Sequence, residues 1–351
     1  MTRRVIIGVS MFLVFCSAGC RLAYLLKAAE GQFRLLYNSV PVENALKGDS
    51  IGPDQKVRLR LVACIKKFGE VELGLRKTEN YETVYLKSAT SPIFFVCASP
   101  KDRLERVTWW FPVVGDMPYL GFFNLEDAKS EKEKLVRKDL DVIVGTADSY
   151  STLGWFKDPL TLNLINDDTP ALVETILHEM THSTLYLKGQ AEFNEGLAVL
   201  VGKIGAYRFL LEAYGPCHPF TMEAKKVLED ERIFCSLLNH LLKRLDCLYN
   251  SNLTYKEKVF KREKVFKEWL KVFERRKVTF KTNRYVHFGC GGLNNAYLMS
   301  SGLYHRHFNI FEAFLTQKGN SIRSVLAFFQ KPAEGEKDML DVIKRHLSCS
   351  K

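Results

Sequence analysis

The sequence predicts an α+β protein, predominantly helical, with a small mixed sheet placed ahead of the helix that carries the candidate chemistry. Three observations lead there. Residues 22–46 and 55–73 space apolar side chains at helical intervals (Leu25, Ala28, Phe33 and Leu36 in the first run), and helical patterning returns from Thr169 to the C-terminus. Between Tyr81 and Gly145 the character changes to short β-branched or aromatic runs, at 82–86, 92–97, 106–111 and 140–145, separated by Pro, Gly, Asp and Ser. With 351 residues, 46% of them hydrophobic, the chain can bury one large core or two modest ones.

Taken in order, the first twenty residues read as an export signal. Arg3 and Arg4 supply the charged start, residues 5–15 the apolar stretch, and Ser17, Ala18 and Gly19 the small residues before Cys20. That stretch falls short of the roughly 20 residues a spanning helix needs, so cleavage is expected. Ala18-Gly19-Cys20 resembles a bacterial lipobox, with Ser17 where an aliphatic residue is usual, which makes Cys20 the candidate lipidation site and membrane anchor, with the protein facing the periplasm from the bacterial cell envelope; a plain cleaved signal or an uncleaved anchor are the alternatives. The resulting division is a lipoprotein-type signal peptide at 1–19, an N-terminal helical segment at 20–80, a sheet-containing region at 81–168, and a helical catalytic and C-terminal region at 169–351.

Pro53 precedes the second helix, and the charged run 125–138 favours a helix connecting two of the strands. Thr169 suits an N-cap and Pro170 the first helical position of a helix expected to reach Leu187, with Gly189 as the residue that ends it. Another helix should begin near Phe193 and run through Ala206. Residues 256–277 place Val259, Phe266, Trp269, Leu270 and Phe273 on one face and charges elsewhere, the pattern of an amphipathic surface helix.

The net charge of +11 does not by itself select a partner. Lys and Arg are interspersed with acids, and no zinc-knuckle, RRM or helix-turn-helix pattern accompanies them, so nucleic acid is not expected; a basic surface equally suits anionic lipid. Setting aside Cys16 and Cys20 leaves Cys64, Cys97, Cys217, Cys235, Cys247, Cys290 and Cys349. None has CxxC spacing, so buried free thiols are expected, and a disulfide between two of Cys217, Cys235 and Cys247 stays open.

The chemistry concentrates at residues 178–182, which read HEMTH. On a helix, His178 and His182 stand one turn apart on one face and can reach the same metal ion, with Glu179 beside it. Zinc suits such a site, because a catalytic zinc keeps an open position for water and lowers the pKa of that water from 15.7 to about 7. Glu179 is then the general base, handing the proton on to the leaving amine. Thirteen residues after His182 stands Glu195, in FNEGLAVLVG; an antiparallel helix hairpin would return its carboxylate to the metal as third ligand. The alternative role for Glu195 is a first-turn acid complementing the helix dipole. The HExxHxxGxxH pattern is absent, since Leu185 and Lys188 occupy the Gly and His positions.

Secondary candidates surround this centre. Glu174, one turn before His178, could orient a ligand histidine or receive a substrate amine, or equally be a solvated or paired helix carboxylate, and Glu192 is a further amine-binding candidate. Residues 150–156, YSTLGWF, are the upstream segment that could align a peptide backbone. Tyr304, in NNAYLMSSGLYHRHF, is a candidate hydroxyl donor to an oxyanion. His305 and His307 are expected at the surface.

The segments GCRLAYLLKAAEGQFRLL, PYLGFF, YSTLGWFKDPL, ETILHEMTHSTLYLKG, FNEGLAVLVG and NNAYLMSSGLY, in that order, resemble a family of bacterial predicted aminopeptidases, exported lipoproteins with a zincin-type centre. The resemblance implies a zincin-like metallopeptidase that removes N-terminal residues from peptides, with His178, His182 and Glu195 as zinc ligands and Glu179 as base. A zinc endopeptidase, or a non-catalytic envelope lipoprotein whose zinc braces two helices, are the alternatives the residues leave open.

Overall fold

The computed structural model describes residues 24, 27–86, 93–111, 115–147, 157–330 and 338–349. The expected signal segment, Cys20 and the candidate substrate segment 150–156 lie outside the described residues.

The N-terminal part holds a helix α1 over residues 27–37, a short strand β1 (Ser39–Pro41), and helices α2 (Val42–Lys47) and α3 (Pro53–Phe68). Pro53 opens α3, where its missing N–H costs nothing, and the Gln55 side chain accepts from the Gly52 N–H at 2.8 Å. Leu59, Val62, Ile65 and Phe68 form the buried stripe of α3. The helix passes into a wider π-type turn at Gly69–Leu73, closed by Gly74 at φ +76, a backbone conformation glycine adopts without steric cost.

Each of the four expected strand runs overlaps an observed strand: β2 (Thr83–Tyr85), β3 (Ile93–Ser99), β4 (Trp109–Phe111) and β7 (Asp141–Ala147), with β3 and β7 each running two residues further. Strands β5 (Gly115–Met117), β6 (Leu120–Phe122) and β8 (Leu160–Thr161) join them. They form one mixed sheet in the order β1-β2-β8, antiparallel then parallel, one antiparallel sheet β6-β3-β7, and the β4-β5 pair. Helix α4 (Leu125–Val136) covers the second sheet, burying Ala128 and Leu135 against Val96, Ala98 and Val142.

The rest is helical: α5 (Leu162–Asn166), α6 (Thr169–Thr184), α7 (Ala191–Tyr214), α8 (Pro219–Tyr249), α9 (Tyr255–Arg276), α10 (Asn295–His305), α11 (Phe308–Gln317), α12 (Ile322–Gln330) and α13 (Met339–Cys349). The main core gathers α3, α6, α7 and α11–α13, and α7 is buried on nearly all sides from Phe193 to Ala206. A second core forms between α8 and α9 around Phe234, Trp269, Phe273 and Phe288. Helix α9 is the amphipathic helix expected at 256–277, burying Phe266, Trp269 and Phe273.

Sheet and helices meet through buried charge. Asp141 on β7 accepts from Arg262 of α9 at 2.7 and 3.1 Å and from the Asn295 N–H at the start of α10 at 2.9 Å. Arg106 donates to the Met299 carbonyl at 2.9 and 3.1 Å and to Glu192 at 2.5 Å. Among the described residues, Cys64, Cys97, Cys217, Cys235, Cys247 and Cys290 are free thiols, so the disulfide left open within 217–247 does not form. No helix among them is long and apolar enough to cross a membrane.

Candidate metal centre

Helix α6 begins one residue earlier than Thr169 suggests: Asp168 is the N-cap, its carboxylate accepting the Ala171 N–H at 2.8 Å. Leu172, Val173, Ile176, Leu177 and Met180 bury one side of α6 in the core. The helix stops at Thr184 rather than Leu187, because Leu185 is extended (φ −145) and the Asn194 side chain captures the chain beyond it. The Asn194 amide accepts from the Leu187 N–H at 2.9 Å and donates to the Leu187 carbonyl at 2.8 Å. With Gly189 at φ +76, this clamp closes the α6–α7 connection and fixes where α7 starts.

Two further glycines set how closely the hairpin packs. A Cβ at Gly202 would lie 2.8 Å from the Glu174 carbonyl oxygen and 3.2 Å from the His178 Cβ; one at Gly205 would meet Leu177 at 2.8 Å. Backbone therefore packs almost directly on backbone beside the HEMTH turn. At the other end of α7, Gly196 leaves room for the Phe311 ring, 2.4 Å from where a Cβ would stand.

This hairpin brings His178, His182 and Glu195 together. The two Nε2 atoms are 3.1 Å apart, and Glu195 Oε2 lies 3.3 Å from His178 Nε2 and 3.5 Å from His182 Nε2. Three donors held about 2.0–2.1 Å from a tetrahedral zinc ion would stand about 3.3–3.4 Å from one another, so the observed triangle fits such an ion. A single proton shared among these atoms satisfies only one of the three contacts. The site is largely buried: His182 is 5% exposed and Glu179 9%, while His178 and Glu195 are partly exposed. Burial alone would raise the Glu195 carboxyl, but His182 and His178 outweigh it and hold the group well below the usual carboxylate range. His182 Nδ1 is buried with no hydrogen-bond partner among the described residues, so none of these supplies the carboxylate or carbonyl that commonly orients a ligand histidine through its outer ring nitrogen.

Tyrosines enclose the centre. The Tyr304 ring stands 6.3 Å from that of His178. Burial, reinforced by Glu195 and Glu179, pushes the Tyr304 and Tyr119 hydroxyls well above their ordinary pKa, and Tyr186 moves the same way through burial and Glu195. Buried Tyr81 is likewise raised, by burial and then by Glu179 and Asp158. It adopts φ +68, a left-handed conformation that costs a side-chain-bearing residue roughly 1–2 kcal/mol, and its N–H donates to the Asp158 carbonyl at 2.8 Å. Sequence reasoning did not single out Tyr81, Tyr119 or Tyr186, because nothing local to PYLGFF, LYLKG or ENYE marks them as neighbours of the HEMTH helix.

The other sequence candidates stand beside the triad in ion clusters of their own. Glu174 gives its oxygens to Lys203 at 2.8 Å and to Arg284 at 2.7 and 2.8 Å. Glu192 is held by Arg106 at 2.5 Å and His307 at 2.6 Å. Burial would raise both carboxyls, yet their cationic and histidine partners hold both well below the usual range. The expectation that His305 and His307 lie at the surface is corrected: His307 is 7% exposed, and His305 is half-buried against Glu231 at 2.9 Å. Glu231 arrives from α8 to hold His305 and Glu192 from α7 to hold His307, which draws both rings inward.

Two histidines and a glutamate converging from a helix hairpin define a His-His-Glu site of the kind that can hold a divalent metal. Residues 23–339 match the family described as "Putative aminopeptidase", and the chain belongs to that family. No curated protein and no solved structure matched the chain.

Proposed function

We propose that the chain is a zinc-dependent aminopeptidase with a zincin-like centre, hydrolysing N-terminal residues of peptides in the bacterial cell envelope, to which Cys20 tethers it by lipid. The observation that carries the reading is the His178–His182–Glu195 triangle, whose edges match three ligands of one tetrahedral ion. Family membership over residues 23–339 supports the exopeptidase side of the reading.

Zinc held by these three residues would supply Lewis acidity, making water acidic enough to attack at neutral pH and polarising the scissile carbonyl. The chain's own residues do the rest. Glu179, adjacent to His178 on α6 and almost fully buried, takes the water proton and delivers it to the leaving amine nitrogen. Tyr304 keeps its hydroxyl proton over the working pH range, because burial and Glu195 oppose its ionisation, and can donate it in a hydrogen bond to the developing oxyanion. The enclosing tyrosines and the core of α7 limit bulk water around these groups, which strengthens each charge interaction there.

The test is Glu179→Gln. The variant is expected to bind zinc as the unaltered protein does and to lose turnover on peptide and aminoacyl substrates; equal activity would refute the assignment of the base. Comparing a free-amine peptide with its N-acetylated form tests exopeptidase character, since internal cleavage of both would identify an endopeptidase. Mass spectrometry of the mature N-terminus tests the tether: an unmodified Cys20, or a retained Met1, removes it.

A further inference from the structure

Behind the metal triad, a second cluster of charge lies between α6, α7, α8 and α10, buried at Lys203 and Glu231 and open to solvent at Arg284. Lys203 on α7, with its side chain 1% exposed, lies 2.8 Å from Glu174 and 3.3 Å from Glu231, which is 0% exposed. Glu174 is further held by Arg284, and Glu231 by His305 Nδ1 at 2.9 Å and the Tyr285 hydroxyl. Asp230 anchors the loop that brings in Arg284, accepting the Lys281 and Thr282 N–H groups at 2.8 Å each.

Burying this many ionised groups is not how a fold gains stability. A buried pair exchanged for apolar side chains of similar volume is commonly neutral or more stable. The placement suggests a different role. Glu174 is four residues before His178 on α6, and Lys203 eight residues after Glu195 on α7. The Glu174–Lys203 pair is therefore a second rung of the hairpin whose first rung is the metal triad, and it fixes how far α7 is slid along α6. Through Glu231 the same ammonium reaches His305, the neighbour of Tyr304, whose ring faces His178.

We propose that Lys203 is a positioning residue for the metal centre, its ammonium holding Glu195 in register with His178 and His182 through Glu174, and α10 with Tyr304 in place through Glu231. The role rests on the metal-centre reading and on no contact between Lys203 and the substrate.

The test exchanges the rung for apolar side chains, Lys203→Met with Glu174→Met, and measures metal binding rather than activity alone. The folded double variant is expected to raise the zinc dissociation constant about tenfold or more, the low end of what supporting residues around metal ligands contribute. The visible absorption of its cobalt-substituted form should change in intensity, reporting altered ligand geometry. Should that variant fail to fold, the near-isosteric Glu174→Gln carries the same two measurements. A folded variant with unaltered zinc affinity and an unaltered cobalt spectrum overturns the positioning role. If the unaltered protein binds neither zinc nor cobalt, the metal centre itself falls, and the role with it.

Discussion

Gly202→Ala is the sharpest probe of the hairpin. The added Cβ would stand 2.8 Å from the Glu174 carbonyl oxygen, where ordinary contact begins near 3.4 Å. The overlap is about 0.6 Å against backbone, which cannot rotate away, so α6 and α7 must separate by several tenths of an ångström. Overpacking of this kind costs about 1–3 kcal/mol, offset by about 1 kcal/mol because alanine favours helix over glycine. The net loss of stability should therefore stay below about 2 kcal/mol, a few degrees in Tm. The metal centre has less latitude, since ligand distances are held to within about 0.2 Å. Zinc titration should show affinity falling at least tenfold, out of proportion to the thermal shift. Gly215→Ala is the control: its φ of +83 strains any side chain, but nothing lies within 4 Å of its Cβ, so Tm should fall while zinc affinity holds. A Gly202→Ala protein with native Tm and native zinc affinity would refute the close-packing account.

Other perturbations separate the remaining parts. Asn194→Ala removes both hydrogen bonds to Leu187 and should cost about 1–3 kcal/mol by thermal or urea unfolding, together with zinc affinity, because the start of α7 is no longer fixed. Chelation should lower Tm and resupplied zinc restore it, a ligand at a hundred times its Kd being worth about 2.7 kcal/mol; identical melts with and without chelator would contradict a bound metal. In acid, Glu231 titrates at about 2 in the fold against an ordinary 4.5, because His305 and Lys203 outweigh the effect of its burial. A depressed carboxyl contributes its full stability above pH 4.5 and loses it as the pH falls from there towards 2. Unfolding monitored across that window should be shallower in Glu231→Gln than in the unaltered chain.

Local pattern made the two site helices legible. HEMTH needs only the helical period to bring His178 and His182 onto one face, and Pro170 marks the start of the helix that holds them. Helix α6 ends three residues short of Leu187 because the stop signal, the Asn194 side chain, arrives from the next helix. Strands β5 and β8 were not legible for a related reason: they hold three and two residues and exist through partners, with β8 pairing to β2 across more than seventy residues. Ser39–Pro41 likewise reads as part of a helical stretch until β2 is beside it. Glu174 and Glu192 show the same limit in the site. Their helical phase relative to His178 and Glu195 was readable, but Lys203, Arg284, Arg106 and His307 come from distant segments and claim both carboxylates.

The Asp141 junction bears on how the chain can be cut. Asp141 belongs to the sheet region, while Arg262 and the Asn295 N–H, which it receives, come from α9 and α10. A fragment starting at 169 would lose both Asp141 and the Lys101 carbonyl to which Arg262 donates, and the complementary fragment would lose Arg262 and the Asn295 N–H. The same cut divides a shared apolar core, since Leu59, Val62, Ile65 and Phe68 of α3 are buried in one cluster with Leu172, Val173, Ile176 and Leu177 of α6. The regions that alternate so plainly along the sequence should therefore fail as separate expression products and melt in one transition.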